Sequence, residues 1–169
     1  MLNEKIEKAF NGQINAELFS YYLYLSMSAW FTSISLNGFA GWMYAQAQEE
    51  MAHAMKFYQH IIDRGGKVKL QPIEGPQQDW NSPLEAFQAA YEHEKYITGR
   101  IHNLVKISHE ENDYASNSML QWFVDEQVEE EGTALDIVEK LKMTADHPGG
   151  LYMMDKELGG RRTAAAKSE

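Results

Sequence analysis

"QAQEEMAHAM", residues 46–55, places two adjacent glutamates and a histidine inside a stretch whose composition favours a helix. Residues three apart lie on one face of a helix, so Glu50 and His53 point in the same direction. That face also carries Met43 and Phe57, which a soluble protein buries. The stretch therefore predicts a helix whose apolar stripe contains a carboxylate and an imidazole.

The composition limits the kinds of protein this chain could be. With 169 residues, of which 44% are hydrophobic, the chain can form one domain, and we assign residues 1–160 to it. Residues 161–169, "RRTAAAKSE", are expected to form a disordered tail. The absence of cysteine excludes disulfides, cysteine-ligated zinc or iron and thiol catalysis. Any metal site must therefore use histidine and carboxylate ligands.

The net charge and the hydropathy pattern exclude two classes of binding partner. A formal net charge of −10 argues against nucleic acid, which requires a basic surface. The first residues, "MLNEKIEKAF", do not resemble a signal peptide, and no later segment reaches the roughly 20 apolar residues of a membrane span. We therefore expect a cytoplasmic protein that does not bind membranes or nucleic acid.

Four long helical patterns and one short pattern follow each other along the chain. They cover about 3–30, 37–64, 83–109, 113–144 and 151–158, with Asn37 and Ser82 as expected N-caps and Glu85 completing a capping box. The connection 67–81 is long enough to travel the length of a bundle, and its "KVKL" could form a short strand. The pattern predicts an all-α, ferritin-like four-helix bundle with one long crossover and a short fifth C-terminal helix.

Each of the four long helices has one stripe of residues spaced three or four apart, which is apolar towards its ends and acidic at its centre. The central residues are Glu17, Glu50, Glu94 and Glu130, and no lysine or arginine lies on the four stripes. Four carboxylates at similar depth in a bundle would repel one another and would be costly to bury. Divalent cations held by these carboxylates and His53 would balance their charge.

The spacing of these residues repeats. Glu50 follows Glu17 by 33 positions with His53 three further on, and Gln127 follows Glu94 by 33 positions with Glu130 three further on. The second half-site has glutamine and glutamate where the first has glutamate and histidine. We infer one tighter and one looser metal position, which suits iron that arrives, is oxidised and leaves.

Together with these residues, the motifs "YEHE", "FVDEQVEEE" and "LYMMDKEL" resemble the non-haem bacterial and archaeal ferritins over nearly the whole chain. The resemblance implies that Glu17, Glu50 and His53 bind the first of two irons, that Glu50 bridges, and that Glu94 and Glu130 bind the second. It also implies roles for the neighbouring residues: a hydrogen-bonding role for Gln127, a third iron position at Glu49, Glu126, Glu129 and Glu130, and electron donation by Tyr24. On spacing alone Tyr24 could equally be a core residue.

The resemblance implies iron storage with ferroxidase activity. Fe(II) would be oxidised to Fe(III) by O2 or H2O2 and stored as a ferric oxyhydroxide mineral inside a hollow shell of twenty-four subunits. The fifth helix would surround the four-fold pores. Haem binding through Met51, as in bacterioferritins, is not expected, because the second half-site lacks the Glu-x-x-His motif that bacterioferritins have.

Four other classes compete with this interpretation. A di-iron oxygenase would require a second histidine and a substrate pocket, and a rubrerythrin-like peroxidase would normally bring a cysteine-ligated iron. A zincin would require histidine at position 49, where this chain has Glu49. A metal-free helical assembly protein would tolerate loss of the central glutamates, and apolar replacements there should stabilise it.

Overall fold

A computed structural model describes residues 2–144 and 147–160, which form five helices. They are α1 (Glu4–Ser33), α2 (Asn37–Asp63), α3 (Pro83–Glu110), α4 (Tyr114–Thr144) and α5 (Pro148–Leu158). No strand occurs in these two ranges, so the predicted all-α fold is confirmed and the predicted strand at "KVKL" is wrong. The expected tail, 161–169, lies outside the described residues. Within the described ranges, no helix combines the length and the apolar character that a membrane span requires.

The predicted start of α3 is correct in its main feature. The Ser82 hydroxyl accepts a hydrogen bond from the Glu85 backbone N–H at 3.1 Å, and Pro83 occupies the first helical position. The Glu85 carboxylate accepts from the backbone N–H and the side-chain amide of Asn81, at 2.9 and 2.7 Å. The return bond of the capping box therefore reaches one residue further back than the usual pattern.

Contacts along α1 determine the directions of the helices. Asn3 bonds Glu111 near the end of α3, whereas Gly12, further along α1, accepts from Arg100, earlier in α3. Hence α1 and α3 are antiparallel, as are α1 and α2, which a short turn joins. Helices α2 and α3 must then be parallel. A connection between parallel helices has to return along the bundle, which explains the long crossover.

The crossover lies along α1 and is held by polar side chains of that helix. The side-chain amides of Asn11 and Asn15 donate to the carbonyls of Lys67 and Pro72, both at 3.0 Å. Lys69, within "KVKL", donates its backbone N–H to the Asn11 side chain at 2.6 Å. Because side chains of α1 satisfy this backbone, the segment is extended without pairing to a strand.

The bundle core consists of two apolar clusters. One contains Met27, Phe31 and Phe39, and the other contains Phe10 and Phe57. The predicted stripes on α1, α2 and α4 are buried throughout, and the stripe on α3 alternates between buried and half-buried residues. The buried acidic residues of the stripes lie between the two clusters in sequence. The fold therefore positions a polar layer within an apolar bundle.

The start of α2 shows a cap that the sequence analysis missed. Asn37 was the expected N-cap, but it is already helical, and Leu36 in the cap position supplies no side-chain bond. The Asp155 carboxylate of α5 instead accepts from the backbone N–H groups of Gly38 and Phe39, at 2.8 and 3.0 Å. A partner 117 residues away cannot be found from local capping rules.

Gly38→Ala tests this junction. A methyl group at Gly38 would lie 1.6 Å from the Asp155 carbonyl oxygen, so α5 would have to move. We expect the free energy of unfolding to fall by about 1–3 kcal/mol and amide exchange in α5 to accelerate. Gly41→Ala, on the same helix and with nothing near its added methyl, should be neutral or stabilising by up to about 1 kcal/mol. Equal effects of the two variants would contradict the proposed close packing.

Candidate metal centre

Four helices each contribute one buried carboxylate to the centre of the bundle. The exposed fractions of Glu17, Glu50, Glu94 and Glu130 are 1%, 2%, 2% and 7%, and that of His53 is 3%. Each residue lies near the middle of a long helix, so the helices bring them to a similar level. The structure therefore places the five predicted residues at one level of the bundle core. Glu94 belongs to neither group of close ligand atoms described below and is held instead by Tyr24 and Gln127.

His53 lies between two groups of carboxylates. Its Nδ1 is 3.3 Å from Glu50 Oε2, and its Nε2 is 3.8 Å from Glu126 Oε1. Glu17, Glu50 and His53 each offer a ligand atom within 4.8 Å of the others, and so do His53, Glu126 and Glu130. The ligand atoms of each group are close enough to contact one cation, and His53 belongs to both groups.

One oxygen in the first group has no hydrogen-bond partner. Glu17 Oε1 accepts from the Gln13 amide at 2.7 Å, but Glu17 Oε2 is buried without a donor. Among the described residues only one other buried side-chain N or O atom, Trp80 Nε1, lacks a partner. An ionised carboxylate oxygen that is buried without a partner is costly, and either a proton or a bound cation removes this cost. The donor set of carboxylates and one imidazole suits iron or another first-row divalent metal.

Glutamine amides donate to three further carboxylate oxygens of the centre. Gln46 Nε2 donates to Glu50 and to Glu130, at 3.0 and 2.8 Å. Gln127 Nε2 lies 3.2 Å from Glu94 Oε2. These amides orient the carboxylates without adding charge.

A third amide is oriented from outside the centre. Arg100 Nε donates to Gln13 Oε1 at 2.9 Å, which leaves the Gln13 amide N–H facing Glu17. Gln13 and Gln46 are buried residues of α1 and α2 to which the sequence analysis gave no role. A polar residue on an otherwise apolar stripe indicates a role in the core, and this could have identified both glutamines from the sequence. Arg100 lies off the stripes, so no such pattern indicated its role.

Tyr24 satisfies both interpretations of its position. It is buried, and its hydroxyl donates to Glu94 Oε1. Burial, followed by the charge of Glu94, raises the pKa of Tyr24 well above its usual value, so the hydroxyl stays protonated. A tyrosine hydroxyl in direct contact with a candidate ligand is well placed to exchange a proton or an electron with the centre.

Two histidines outside the candidate ligand set are half-buried. The Nε2 of His93 lies 2.7 Å from the Ser20 hydroxyl, and its ring meets Tyr24 edge-on. His60 packs against Phe10 and bonds Ser116 at 3.0 Å. Each histidine turns towards a neighbouring helix because a hydroxyl partner is available there.

The pKa values of the carboxylates diverge. Burial, together with the charge of Glu50, raises the pKa of both Glu17 and Glu130 to about 8. The same two causes raise the pKa of Glu94 well above its usual value. Burial also opposes the charge on Glu50, but its bond to His53 and the charge of His53 lower the pKa below normal. Without metal, Glu50 therefore keeps its charge while its acidic neighbours hold protons near neutral pH.

His53 is the counter-ion of this cluster. Burial lowers the pKa of His53, but the bonds to Glu126 and Glu50 outweigh it and raise the pKa to about 11. The metal-free centre thus contains an imidazolium beside Glu50 and carboxylic acids around them. Cations that bind there would displace these protons.

The residues expected at a third metal position are only partly brought together. Glu126, one quarter exposed, and Glu130 form a group with His53, and Glu49 is half-buried nearby on α2. Glu129 is exposed and belongs to neither group of possible ligands. Consecutive helical residues point about 100° apart, so Glu129 and Glu49 both lie to the side of the buried ligands that follow them in the chain.

With this geometry established, comparison with known proteins gives the family. A family model described as a ferritin-like domain matches residues 7–144. The chain belongs to the ferritin family. A bacterial non-heme ferritin of Bacteroides fragilis is 44% identical over 161 residues, covering 95% of this chain and all of that protein. A bacterial non-heme ferritin of Campylobacter jejuni is 40% identical, covering 92% of this chain and 93% of that protein.

Solved ferritin structures support the same family fold. An Archaeoglobus fulgidus ferritin engineered into a closed form superposes with a TM-score of 0.96 at 51% identity, covering 97% of this chain and all of that one. An open-pore ferritin of the same archaeon superposes with a TM-score of 0.95 at 51% identity, covering 96% of this chain and 100% of that one. The family resemblance and the ferritin-like fold that the sequence indicated are therefore confirmed.

Proposed function

We propose that this ferritin-family chain stores iron and has ferroxidase activity, as an iron(II):oxygen oxidoreductase. It would oxidise Fe(II) to Fe(III) with O2 or H2O2 at a di-iron site within each subunit and store the product as ferric oxyhydroxide. The observation that carries this proposal is the unpartnered Glu17 Oε2, which lies in a group of possible ligands with Glu50 and His53. The curated relatives are themselves named bacterial non-heme ferritins.

The two iron positions would differ in their affinity for iron. Glu17, Glu50 and His53 would hold the first Fe(II), and Glu94 and Glu130 the second, with Glu50 shared. The first set adds an imidazole to its carboxylates, whereas the second has no histidine. Anionic oxygen ligands favour Fe(III) over Fe(II), which drives electron transfer to the oxidant. The poorer second set would release its product more readily.

The oxidation is balanced by two electrons and two protons. Two Fe(II) ions give one electron each to O2, which takes up two protons and leaves as H2O2. The residues around the metals would take part in the proton transfer, since Fe(II) binding displaces protons from Glu17, Glu94 and Glu130. Tyr24, next to Glu94, would be a transient electron donor that lends one electron in place of one Fe(II) and is restored by that Fe(II), so the balance is unchanged. Gln127 would hold the Glu94 carboxylate in place.

A third iron position would use Glu126, Glu130 and the neighbouring Glu49. Glu126 and Glu130 are supported by their shared group with His53, and Glu49 by its position on the adjacent turn. The original expectation also included Glu129, whose exposure favours a role at the surface. We propose the third position on the α2–α4 side of the centre, with Glu129 as its most exposed candidate ligand.

We further propose assembly into a hollow shell of twenty-four cytoplasmic subunits, with α5 around the pores. The high similarity to ferritins described by open or closed pores supports assembly into a pore-containing particle. We propose no haem role for Met51, since the curated relatives carry non-heme names. The negative charge of the chain would attract Fe(II) towards such a shell.

Anaerobic titration of the metal-free protein with Fe(II), followed by O2, tests the proposed function. Two ions bound per subunit would support the di-iron site, and three would add the third position. Oxidation should then consume O2, and iron uptake should continue far beyond the number of binding sites. Uptake that stops when these sites are full would mean that the irons are a fixed cofactor. Failure to bind Fe(II) at all would favour a metal-free assembly protein.

A further inference from the structure

A groove of 660 Å³ runs between α1 and α3, and cationic side chains line it. They are Lys5 and Lys8 from α1, and Lys95 and Arg100 from α3. No aspartate or glutamate lines the groove, although the chain carries a formal net charge of −10. A cavity with this lining is unusual on an acidic protein, and its charge attracts anions.

The cations at the two ends of the groove already have partners. Lys5 Nζ lies 3.0 Å from carboxylate oxygens of both Glu110 and Glu111. Lys95 Nζ lies 2.6 Å from Glu92 Oε1. These ion pairs neutralise the ends, so neither lysine supplies a free charge for a ligand.

The cations in the middle lack acidic partners. Among the described residues, Lys8 makes no ion pair or hydrogen bond. Arg100 donates to Gln13, to the Gly12 carbonyl at 3.0 Å and to the Tyr96 hydroxyl at 3.1 Å, none of which is charged. Two of its five N–H groups therefore remain for a ligand.

These two cations lie on adjoining positions of the groove wall. Lys8 is one helical turn before Gly12, whose carbonyl Arg100 contacts, so both side chains face the same part of the cavity. The Arg100 guanidinium is held by three hydrogen bonds and is therefore already ordered. A fixed guanidinium beside a flexible ammonium matches an oxyanion with more than one negative charge.

We propose that the middle of this groove binds a phosphate group, bound through Arg100 and Lys8. The shared chemistry is that of a tetrahedral dianion, which inorganic phosphate and phosphate monoesters both provide. The apolar walls at Leu104 and Ile107 could contact the organic part of an ester. The groove contains none of the candidate metal ligands, although Arg100 is linked to Glu17 through the Gln13 side chain. Phosphate binding does not depend on the proposed ferroxidase function.

Equilibrium dialysis of the metal-free protein against inorganic phosphate tests this site, since removing iron removes competing phosphate binding by the metal. We expect saturable binding of one phosphate per subunit, weakened about tenfold by Lys8→Gln. Arg100→Lys keeps the charge but removes the planar fork, and it should weaken binding to a similar degree. Lys142→Gln, which changes the same charge in the last turn of α4, should have no effect.

The outcomes separate the alternatives. Glycerol phosphate and unlabelled inorganic phosphate are each added to displace bound inorganic phosphate. If glycerol phosphate displaces it at the lower concentration, the preferred ligand is an ester. If unlabelled inorganic phosphate does so, the preferred ligand is free phosphate. Binding that does not saturate, or that Lys8→Gln and Lys142→Gln change equally, would overturn the site and indicate nonspecific attraction of anions. Because Lys8 is an exposed side chain without a partner, its replacement should leave the fold intact.

Discussion

Glu50→Gln is expected to slow the initial oxidation of Fe(II) by about a hundredfold or more, because it removes the proposed shared ligand. Glutamine has nearly the same shape, so the packing around it should persist. The metal-free variant should be less stable than the original protein but still folded, since the buried His53 imidazolium loses the charge of its Glu50 partner. Stopped-flow oxidation at a fixed ratio of Fe(II) to subunits, with thermal unfolding alongside, measures both effects.

The matched control for this variant is Glu92→Gln. Glu92 lies two residues before Glu94 on α3, but its side chain is 68% exposed and pairs with Lys95 at the surface. Its replacement should leave the oxidation rate unchanged. Rapid oxidation by Glu50→Gln would contradict the assignment of the centre. If Glu50→Gln oxidises Fe(II) slowly and is also unfolded, Glu50 has a structural role. The thermal unfolding measurement distinguishes this outcome from loss of a metal ligand in a folded protein.

The sequence predicted the bundle because its signals are regular over long segments. Apolar residues recur at helical spacing for about seven turns in each long helix, and the length of 67–81 indicates the crossover. The five central residues stood out because charged residues interrupt these stripes. Periodicity is sufficient to place Glu17 and Glu50 on buried faces, even though it carries no information on distances.

The details that sequence analysis missed depend on contacts between distant segments. Asp155 caps α2 only because α5 folds back onto Gly38. Arg100 orients Gln13 across the interface between α1 and α3, although neither helix alone indicates the pairing. Glu129 was grouped with the ligands because the family resemblance implies it, and its part in a third iron position stays a prediction.

The metal-free protein is expected to lose stability as the pH rises from about 5 to 8. The folded-state pKa values of Glu17 and Glu130 are about 8, against an ordinary value of 4.5. The folded state therefore holds protons in this window that the unfolded state releases. Their stabilising contribution is fully present below pH 4.5 and is lost as the pH rises through about 8.

Other titratable groups act in both directions. Burial lowers the pKa of His60 and His93, which opposes the trend below about pH 6.5, whereas three further groups decide the balance. Glu94 has a raised pKa and acts in the same direction. The pKa of His53 is raised from 6.5 to about 11, so its contribution is present below pH 6.5 and declines above it. Glu50 has a lowered pKa, and its opposing effect is confined to more acidic pH. A group that is protonated in the folded state and deprotonated in the unfolded state changes the free energy of unfolding by about 1.4 kcal/mol per pH unit.

Unfolding of the metal-free protein by guanidinium at several pH values between about 5 and 8 measures this slope. Glu17→Gln should flatten it by removing one of the contributing carboxyls, whereas Glu92→Gln should leave it unchanged. Saturation with Zn(II), which occupies the centre without redox chemistry, should reduce or reverse the slope, because metal binding replaces protons and strengthens as the pH rises. A metal-free protein whose stability increases over this window would show that the buried carboxyls are already ionised. The centre would then bind cations without releasing protons, contrary to the charge distribution derived for it.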